Sequence, residues 1–123
     1  MSNPNIVGIT TINGVTTYVI PSNTSLTSLL SNANSSGHVY KVNSIIASNV
    51  TASAATVTVA IYTQAALAGT ANRLAYQISV PGNASLIITD KSTTFYLMEN
   101  QSIGVTSGTS SAIEYVISYE DIS

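Results

Sequence analysis

The sequence contains no cysteine and no tryptophan, and it has a single histidine. The absence of cysteine excludes disulfides within this sequence, thiolate metal sites and a cysteine nucleophile. Because His38 is the only imidazole, a Ser-His-acid triad would have to use it. His38 follows Gly37 at the start of a predicted strand, and no nucleophile-elbow motif accompanies it. We therefore interpret His38 as a loop histidine.

Charged side chains are also scarce, since three basic and five acidic residues make up only 7% of the sequence. Ordinary soluble domains have roughly a quarter of their residues in these types. Lys41, Arg73 and Lys91 are far apart in the sequence and cannot form a patch that neutralises phosphates. No apolar run approaches the ~18 residues of a membrane span, and residues 1–5 lack the pattern of a signal peptide. Composition therefore predicts neither nucleic acid nor membrane as a partner.

The acidic residues show no spacing typical of a catalytic or metal site. Glu120 and Asp121 are adjacent and would point to opposite faces of a strand, whereas paired carboxylates of glycosidases lie about 5–10 Å apart. A calcium ion held by Asp90, Glu99 or Asp121 with loop carbonyls is the weaker alternative. We predict no catalytic residue, no metal site and no cofactor, and we do not expect an enzyme.

The sequence is instead rich in Ser, Thr and Asn, and 45% of it is hydrophobic. Apolar and polar residues alternate over residues 56–62, 74–80 and 113–119, which is typical of half-buried antiparallel strands. The alternation predicts a core formed by Val42, Ile46, Val57, Val59, Ile61, Tyr76, Ile78, Val80, Leu86, Ile88, Ile103, Val105, Ile113, Tyr115 and Ile117.

Turn residues divide the chain into short segments. Asn13-Gly14 predicts a hairpin that joins strands over residues 6–12 and 15–20. Residues 22–37 fit either one helical turn or a loop pinned by leucines, and residues 64–72 read as a loop. We predict a single domain over residues 1–123. Its fold is an all-β, antiparallel β-sandwich, jelly-roll-like, with eight to nine short strands.

The seven tyrosines allow two interpretations. Tyr76, Tyr115 and Tyr119 fall on apolar faces and are predicted to be core residues. The other four could form part of the core, a subunit interface or a sugar-stacking platform, because tyrosine combines an apolar ring with a polar tip. These four are Tyr18, Tyr40, Tyr62 and Tyr96.

Five motifs cover much of residues 38–123, the last two-thirds of the chain. They are HVYKVNSIIASNV at 38–50, AATVTVAIY at 54–62, ISVPGNASL at 78–86, DKSTTFYL at 90–97 and VISYEDIS at 116–123. These motifs are structural in character, and they resemble those of a group of small virion proteins of tailed bacteriophages, notably of cyanophages and marine phages.

This resemblance implies a β-sandwich decoration, or cement, protein that forms trimers on the phage head. We predict a structural virion protein that stabilises the shell by contacting the major capsid protein and assembles as a homotrimer. The scarcity of Lys and Arg favours the capsid exterior over the DNA-facing side. A tail, neck or fibre component that binds a host glycan or receptor is the main alternative. An enzyme or other small-ligand protein is a third.

The N-terminal segment, residues 1–37, matches these motifs less well and is predicted to be a partner-binding arm. Its apolar residues could add strands to a partner's sheet, a binding mode based on main-chain hydrogen bonds. Alternatively, the same hairpin completes the sandwich of its own chain. The predicted partner-binding residues are Ile6, Ile9, Ile12, Val15 and Tyr18.

Overall fold

The computed structural model describes residues 4–123, which form nine strands in two antiparallel sheets. Short 3₁₀ turns occur at Ile6–Gly8 and Lys91–Thr93, and no helix in this range is long and apolar enough to cross a membrane. The strands are β1 (Ile12–Val19), β2 (Thr27–Asn32), β3 (Val39–Asn49), β4 (Ala55–Gln64), β5 (Ala68–Val80), β6 (Ser85–Thr89), β7 (Phe95–Leu97), β8 (Gln101–Ser107) and β9 (Ile113–Ile122).

The strand order is that of a jelly roll. The first sheet has the order β1-β9-β3-β6, with β7 also paired to β3, and the second has the order β2-β8-β4-β5. Because β6 and β7 pair with successive parts of β3, they share one strand position. Each sheet then has four strand positions, as in an eight-stranded double-sheet jelly roll. The predicted all-β sandwich of eight to nine strands is therefore confirmed.

The core lies between the facing sides of the two sheets. Most of the predicted core residues are buried there, because every second residue of the first half of β4, of β8 from Ile103 and of most of β9 faces inward. The confirmed residues are Val42, Val57, Val59, Val80, Ile103, Val105, Ile113, Tyr115 and Ile117, with Ile61, Leu86 and Ile88 half-buried against them.

Ile46 does not belong to the core, because a bulge interrupts β3. Val42 pairs with Tyr119 and Ser44 pairs with Ser118, so that Asn43 is an extra residue in the ladder. An extra residue moves every later side chain of the strand to the opposite face. Ile45 therefore points into the core with 0% exposure, and Ile46 points outward.

Tyr76 and Ile78 were also predicted as core residues, and both are exposed. A second bulge, in β5, places Tyr76 and Gln77 opposite the single residue Thr58 of β4. Tyr76 consequently leaves the inward face. Ile78 pairs with the buried Val57, but it lies on the edge strand of the second sheet and is only partly covered.

The predicted N-terminal hairpin is wrong. β1 runs straight through Asn13 and Gly14, and it pairs with β9 from Ile12 opposite Ile122 to Val19 opposite Tyr115. A two-stranded hairpin is marginally stable alone, whereas a strand added to an existing sheet also gains packing on the core. Long-range pairing with β9 therefore overrides the local turn preference.

Two stretches that were predicted to be irregular are strands. Residues 27–32 form β2, in which a register shift after Ser28 allows the neighbours Leu29 and Leu30 both to be buried. The predicted loop over residues 64–72 is a tight turn at residues 65–67, after which β5 begins at Ala68. Ala66 and Leu67 make this turn with positive φ angles of 58° and 62°.

The bulge in β3 can be tested with two neighbouring substitutions of the same kind. Ile45→Ala removes a fully buried side chain and should lower the free energy of unfolding by about 2–5 kcal/mol. Ile46→Ala should cost about 1 kcal/mol or less, because its side chain is only half-buried. Urea unfolding of both variants measures the difference. Equal losses, or a larger loss for Ile46→Ala, would contradict the register described here.

Candidate functional site

The outward face of the first sheet carries an apolar row that crosses all four strand positions. Directly paired residues lie on the same face of a sheet. Tyr18 pairs with Val116, Val116 with Ile46, and Ile46 with Ile87. Tyr18 is 74% exposed and Ile87 is 61% exposed, while the two central residues are half-buried. We call these four residues the apolar row.

Hydroxyl side chains flank the apolar row on both sides. On one side Thr16 donates a hydrogen bond of 3.4 Å to the hydroxyl of Ser118. On the other side the hydroxyls of Ser48 and Ser85 lie 2.9 Å apart and form a hydrogen bond. Because these groups satisfy one another, this part of the face loses little hydrogen bonding when a partner covers it.

Few charges lie on this face. Lys41 and Glu120 are paired across β3 and β9, with Nζ and Oε2 4.0 Å apart. The same Glu120 oxygen accepts a hydrogen bond of 3.3 Å from Asn43, the extra residue of the β3 bulge. The pair is partly exposed, so it contributes little to stability. The pair itself is neutral, but Glu114, which pairs with Ser48 beside the apolar row, adds one further carboxylate to this face.

The N-terminal segment closes one end of the same face. The main-chain amides of Thr10 and Thr11 both donate to the carbonyl of Ser123 at 2.9 Å, and Ser123 donates back to Thr11 at 3.0 Å. On the N-terminal side of Thr10, the segment borders an apolar groove of about 440 Å³. The groove is lined by Pro4, Asn5, Ile6, Val39, Tyr96 and Met98.

The predicted partner-binding residues separate onto different surfaces. Ile12 and Tyr18 belong to the outward side of β1, and Ile6 borders the groove. Val15 pairs with Tyr119, which packs on the core, and therefore faces inward, while Ile9 is half-buried in the segment before β1. Of the two alternatives for this arm, β1 completes the sheet of its own chain. Partner binding by these residues stays a prediction.

His38 forms a side-chain hydrogen bond that the sequence did not suggest. It precedes β3, and its Nδ1 lies 2.6 Å from Oδ1 of Asp121 near the end of β9. Its main-chain amide donates to the Ser36 hydroxyl at 3.1 Å. Within residues 4–123 no hydroxyl group forms a hydrogen bond with the His38 ring. The pair therefore connects the start of β3 to the end of β9. No hydroxyl nucleophile within residues 4–123 is positioned against the His38 ring.

The three acids considered for calcium lie in separate environments. Asp90 caps the 3₁₀ turn at Lys91–Thr93, and hydrogen bonds from the side chain and main chain of Ser92 lower its pKa. Glu99 accepts a hydrogen bond of 2.6 Å from the amide of Gly37, and Asp121 pairs with His38. The described part of the chain holds no group of three or more potential metal-ligating His, Cys, Asp or Glu residues.

Tyrosines surround the His38–Asp121 pair. The rings of Tyr40 and Tyr119 lie 5.0 Å apart, and that of Tyr40 is 6.3 Å from the His38 ring. Burial raises the pKa of both phenols, and the negative charge of Asp121 raises it further. Tyr115 is fully buried, as predicted, and donates to the carbonyl of Thr106 at 2.8 Å.

Comparison with known proteins adds to the fold assignment. No protein-family model matches this chain, and no curated protein matches it. One similar solved structure comes from the work titled "Bacillus endospore appendages form a novel family of disulfide-linked pili". The two chains are 17% identical with a TM-score of 0.53, and the match covers 91% of this chain and 85% of the other. At this identity the likeness shows the fold alone, and this sequence has no cysteine for a disulfide.

The raised phenol pKa values predict a loss of stability at alkaline pH. The folded state retains the phenol protons of Tyr40 and Tyr119 at pH values where the unfolded chain releases them. The free energy of unfolding should therefore fall as pH rises above about 10. In the double variant Tyr40→Phe/Tyr119→Phe this fall should be shallower. Urea unfolding between pH 8 and pH 11 measures it, and identical pH profiles for both proteins would contradict the expectation.

Proposed function

We propose that this protein is a structural virion protein of a tailed phage that decorates and stabilises the head shell. In this proposal the outward face of the first sheet packs against the major capsid protein. The observation that carries it is the exposed apolar row, flanked by mutually bonded hydroxyl groups, on a face whose charged side chains are few, namely Lys41, Glu114 and Glu120. Such a surface has the composition of a protein interface, in which charged residues are depleted at the centre.

The scarcity of charge supports a packed, passive role. Ordering a Lys or Glu side chain against a partner costs up to about 2 kcal/mol of rotamer entropy, whereas Ser and Thr cost less. The phage context itself depends on the motifs in residues 38–123.

We also propose that the protein assembles as a homotrimer through the edge formed by β1. This strand lies at the end of the first sheet, and its sequence, INGVTTYV, contains neither a charged residue nor a proline. Natural edge strands are usually protected by such residues or are covered by another element. A neighbouring copy of the chain would cover β1 and satisfy its outer main-chain groups.

The capsid contact can be tested by removing the two exposed ends of the apolar row. The double variant Tyr18→Ser/Ile87→Ser should bind phage heads about tenfold or more weakly, because it loses the most accessible apolar area of the face. Leu74→Ser is the matched control, since Leu74 is an exposed apolar residue on the second sheet. Sedimentation of heads that lack this protein with each purified variant measures binding.

Two outcomes would overturn the head assignment. One is undiminished binding of a folded Tyr18→Ser/Ile87→Ser variant. The other is a location of the intact protein confined to the tail, neck or fibre in cryo-electron microscopy of the particle. The second outcome would favour a tail component that binds a host glycan or receptor.

The trimer is tested at the β1 edge. Sedimentation equilibrium of the wild-type protein should give three times the chain mass. Thr16→Lys places a charge beside this edge and should shift the protein towards monomer, whereas Ser110→Lys, in an exposed turn, should not. A wild-type protein that is monomeric both at high concentration and on the capsid would refute the trimer.

A further inference from the structure

A second recess lies on the outward face of the second sheet, on the side of the sandwich opposite the apolar row. It has a volume of about 230 Å³ and is formed by strands β4, β5 and β8 together with Leu26. Its polar and aromatic lining consists of Thr58, Tyr62, Arg73, Tyr76, Gln77 and Thr106. We call it the β5 recess.

The bulge in β5 shapes one wall of this recess. Gln77 has a φ of +49°, a left-handed conformation that is strained for a non-glycine residue. Its amide donates a hydrogen bond of 3.0 Å to the Thr58 hydroxyl, which holds the bulge in place. The bulge turns Tyr76 outward beside Arg73. Bulges that re-aim a side chain in this way are over-represented next to functional sites.

Arg73 supplies an available positive charge in the recess. Its guanidinium carbon lies 5.0 Å from the centre of the Tyr76 ring, which orients the group. Among residues 4–123 the salt bridge of a Lys or Arg side chain is Lys41–Glu120, so no carboxylate of this range neutralises Arg73. A planar guanidinium with fixed donors binds a carboxylate through two parallel hydrogen bonds.

Small residues allow the recess to lie close to the sheet. Ala60 lines it and is buried, and Gly104, its partner on β8, lies beneath the side chains of Leu26 and Tyr62. A Cβ atom at Gly104 would come within 2.8 Å of Leu26 and 3.0 Å of Tyr62, so a larger residue there would displace these side chains. The recess is smaller than the roughly 300–1,000 Å³ pockets of drug-sized ligands and suits a single ring.

We propose that the β5 recess binds an acidic sugar residue, a pyranose ring that carries a carboxylate. Arg73 receives the carboxylate, Tyr76 and Tyr62 contact the apolar faces of the ring, and Thr58, Gln77 and Thr106 offer hydrogen bonds to its hydroxyl groups. The Thr58 oxygen accepts from Gln77 and retains its own proton for donation. A peptide carboxylate would pair with Arg73 and leave most of these hydroxyl and amide groups unmatched.

The site is independent of the proposed capsid contact. The β5 recess and the apolar row lie on opposite outward faces of the sandwich, so a protein that packs through its first sheet still presents the recess to solvent. Binding of an acidic sugar can therefore be tested independently of which partner covers the first sheet.

Titration of the ¹⁵N-labelled full chain with D-glucuronic acid tests this proposal, and D-glucose is the neutral probe. We expect saturable amide shifts centred on Thr58, Gln77 and Thr106, and affinity for glucose about tenfold or more weaker because it lacks the charge-assisted hydrogen bonds. Arg73→Gln should weaken glucuronate binding by a similar factor, and Tyr76→Ala should also weaken it. Lys91→Gln removes one positive charge outside the recess and should leave binding unchanged.

Several results would overturn the proposal. They are the absence of saturable shifts at the recess, equal affinity for glucose and glucuronate, or equal weakening by Arg73→Gln and Lys91→Gln. N-acetyl-glutamate is titrated as the peptide-like probe. If it binds the recess as tightly as glucuronate, the site recognises a carboxylate without its sugar ring. The spectra of the unbound variants report directly whether each protein is folded.

Discussion

The two facing sides of the sandwich must be filled with apolar side chains, and every other surface of this protein depends on how the strands meet that requirement. Val57 and Val59 of β4 and Ile103 and Val105 of β8 meet it by strict alternation, and all four are fully buried. In the first sheet the bulge at Asn43 is needed to fill the core, since it turns Ile45 inward. The same bulge turns Ile46 outward and so creates the centre of the apolar row.

The bulge in β5 has a comparable effect on the second sheet. It keeps Ala75 and Val80 facing the core while it moves Tyr76 to the outside, next to Arg73. Each outward face thus owes its distinctive side chains to an extra residue in a strand. A bulge is a local change in the ladder, yet its consequence extends along the rest of the strand because side chains alternate with a period of two.

Buried asparagines connect this framework to its loops. Asn32 donates to the carbonyls of His38 and Leu97, at 2.9 and 3.2 Å, and so links β2 to the first sheet. Asn49 donates to the carbonyls of Ser53 and Val80 and accepts from the Thr51 amide, which fixes the connection between β3 and β4. Such neutral networks satisfy buried polar groups without burying a charge. They suit a chain with so few ionisable residues.

Prediction from the sequence succeeded where neighbouring residues carry the information. Residues 56–62 and 113–119 alternate cleanly, and both segments are strands whose apolar sides are buried. Prediction failed where the local structure depends on pairing with residues that are distant in the sequence. Asn13-Gly14 has the composition of a turn, but β9 offers a long strand to pair with, and the leucines of β2 are buried only because β8 lies beside them. The hydrogen bond between His38 and Asp121 joins residues 83 positions apart, and no local pattern indicates it.

The sequence by itself determined the fold class, because period-two alternation, β-branched residues and frequent turns favour antiparallel sheets. It also determined the weakly charged character of the surface, since composition does not change on folding. Only the tertiary structure decided which side chains face outward. Bulges form in response to pairing between strands that are remote in sequence, and a single extra residue reverses the faces beyond it. The apolar row and the β5 recess are therefore properties of the assembled sheets.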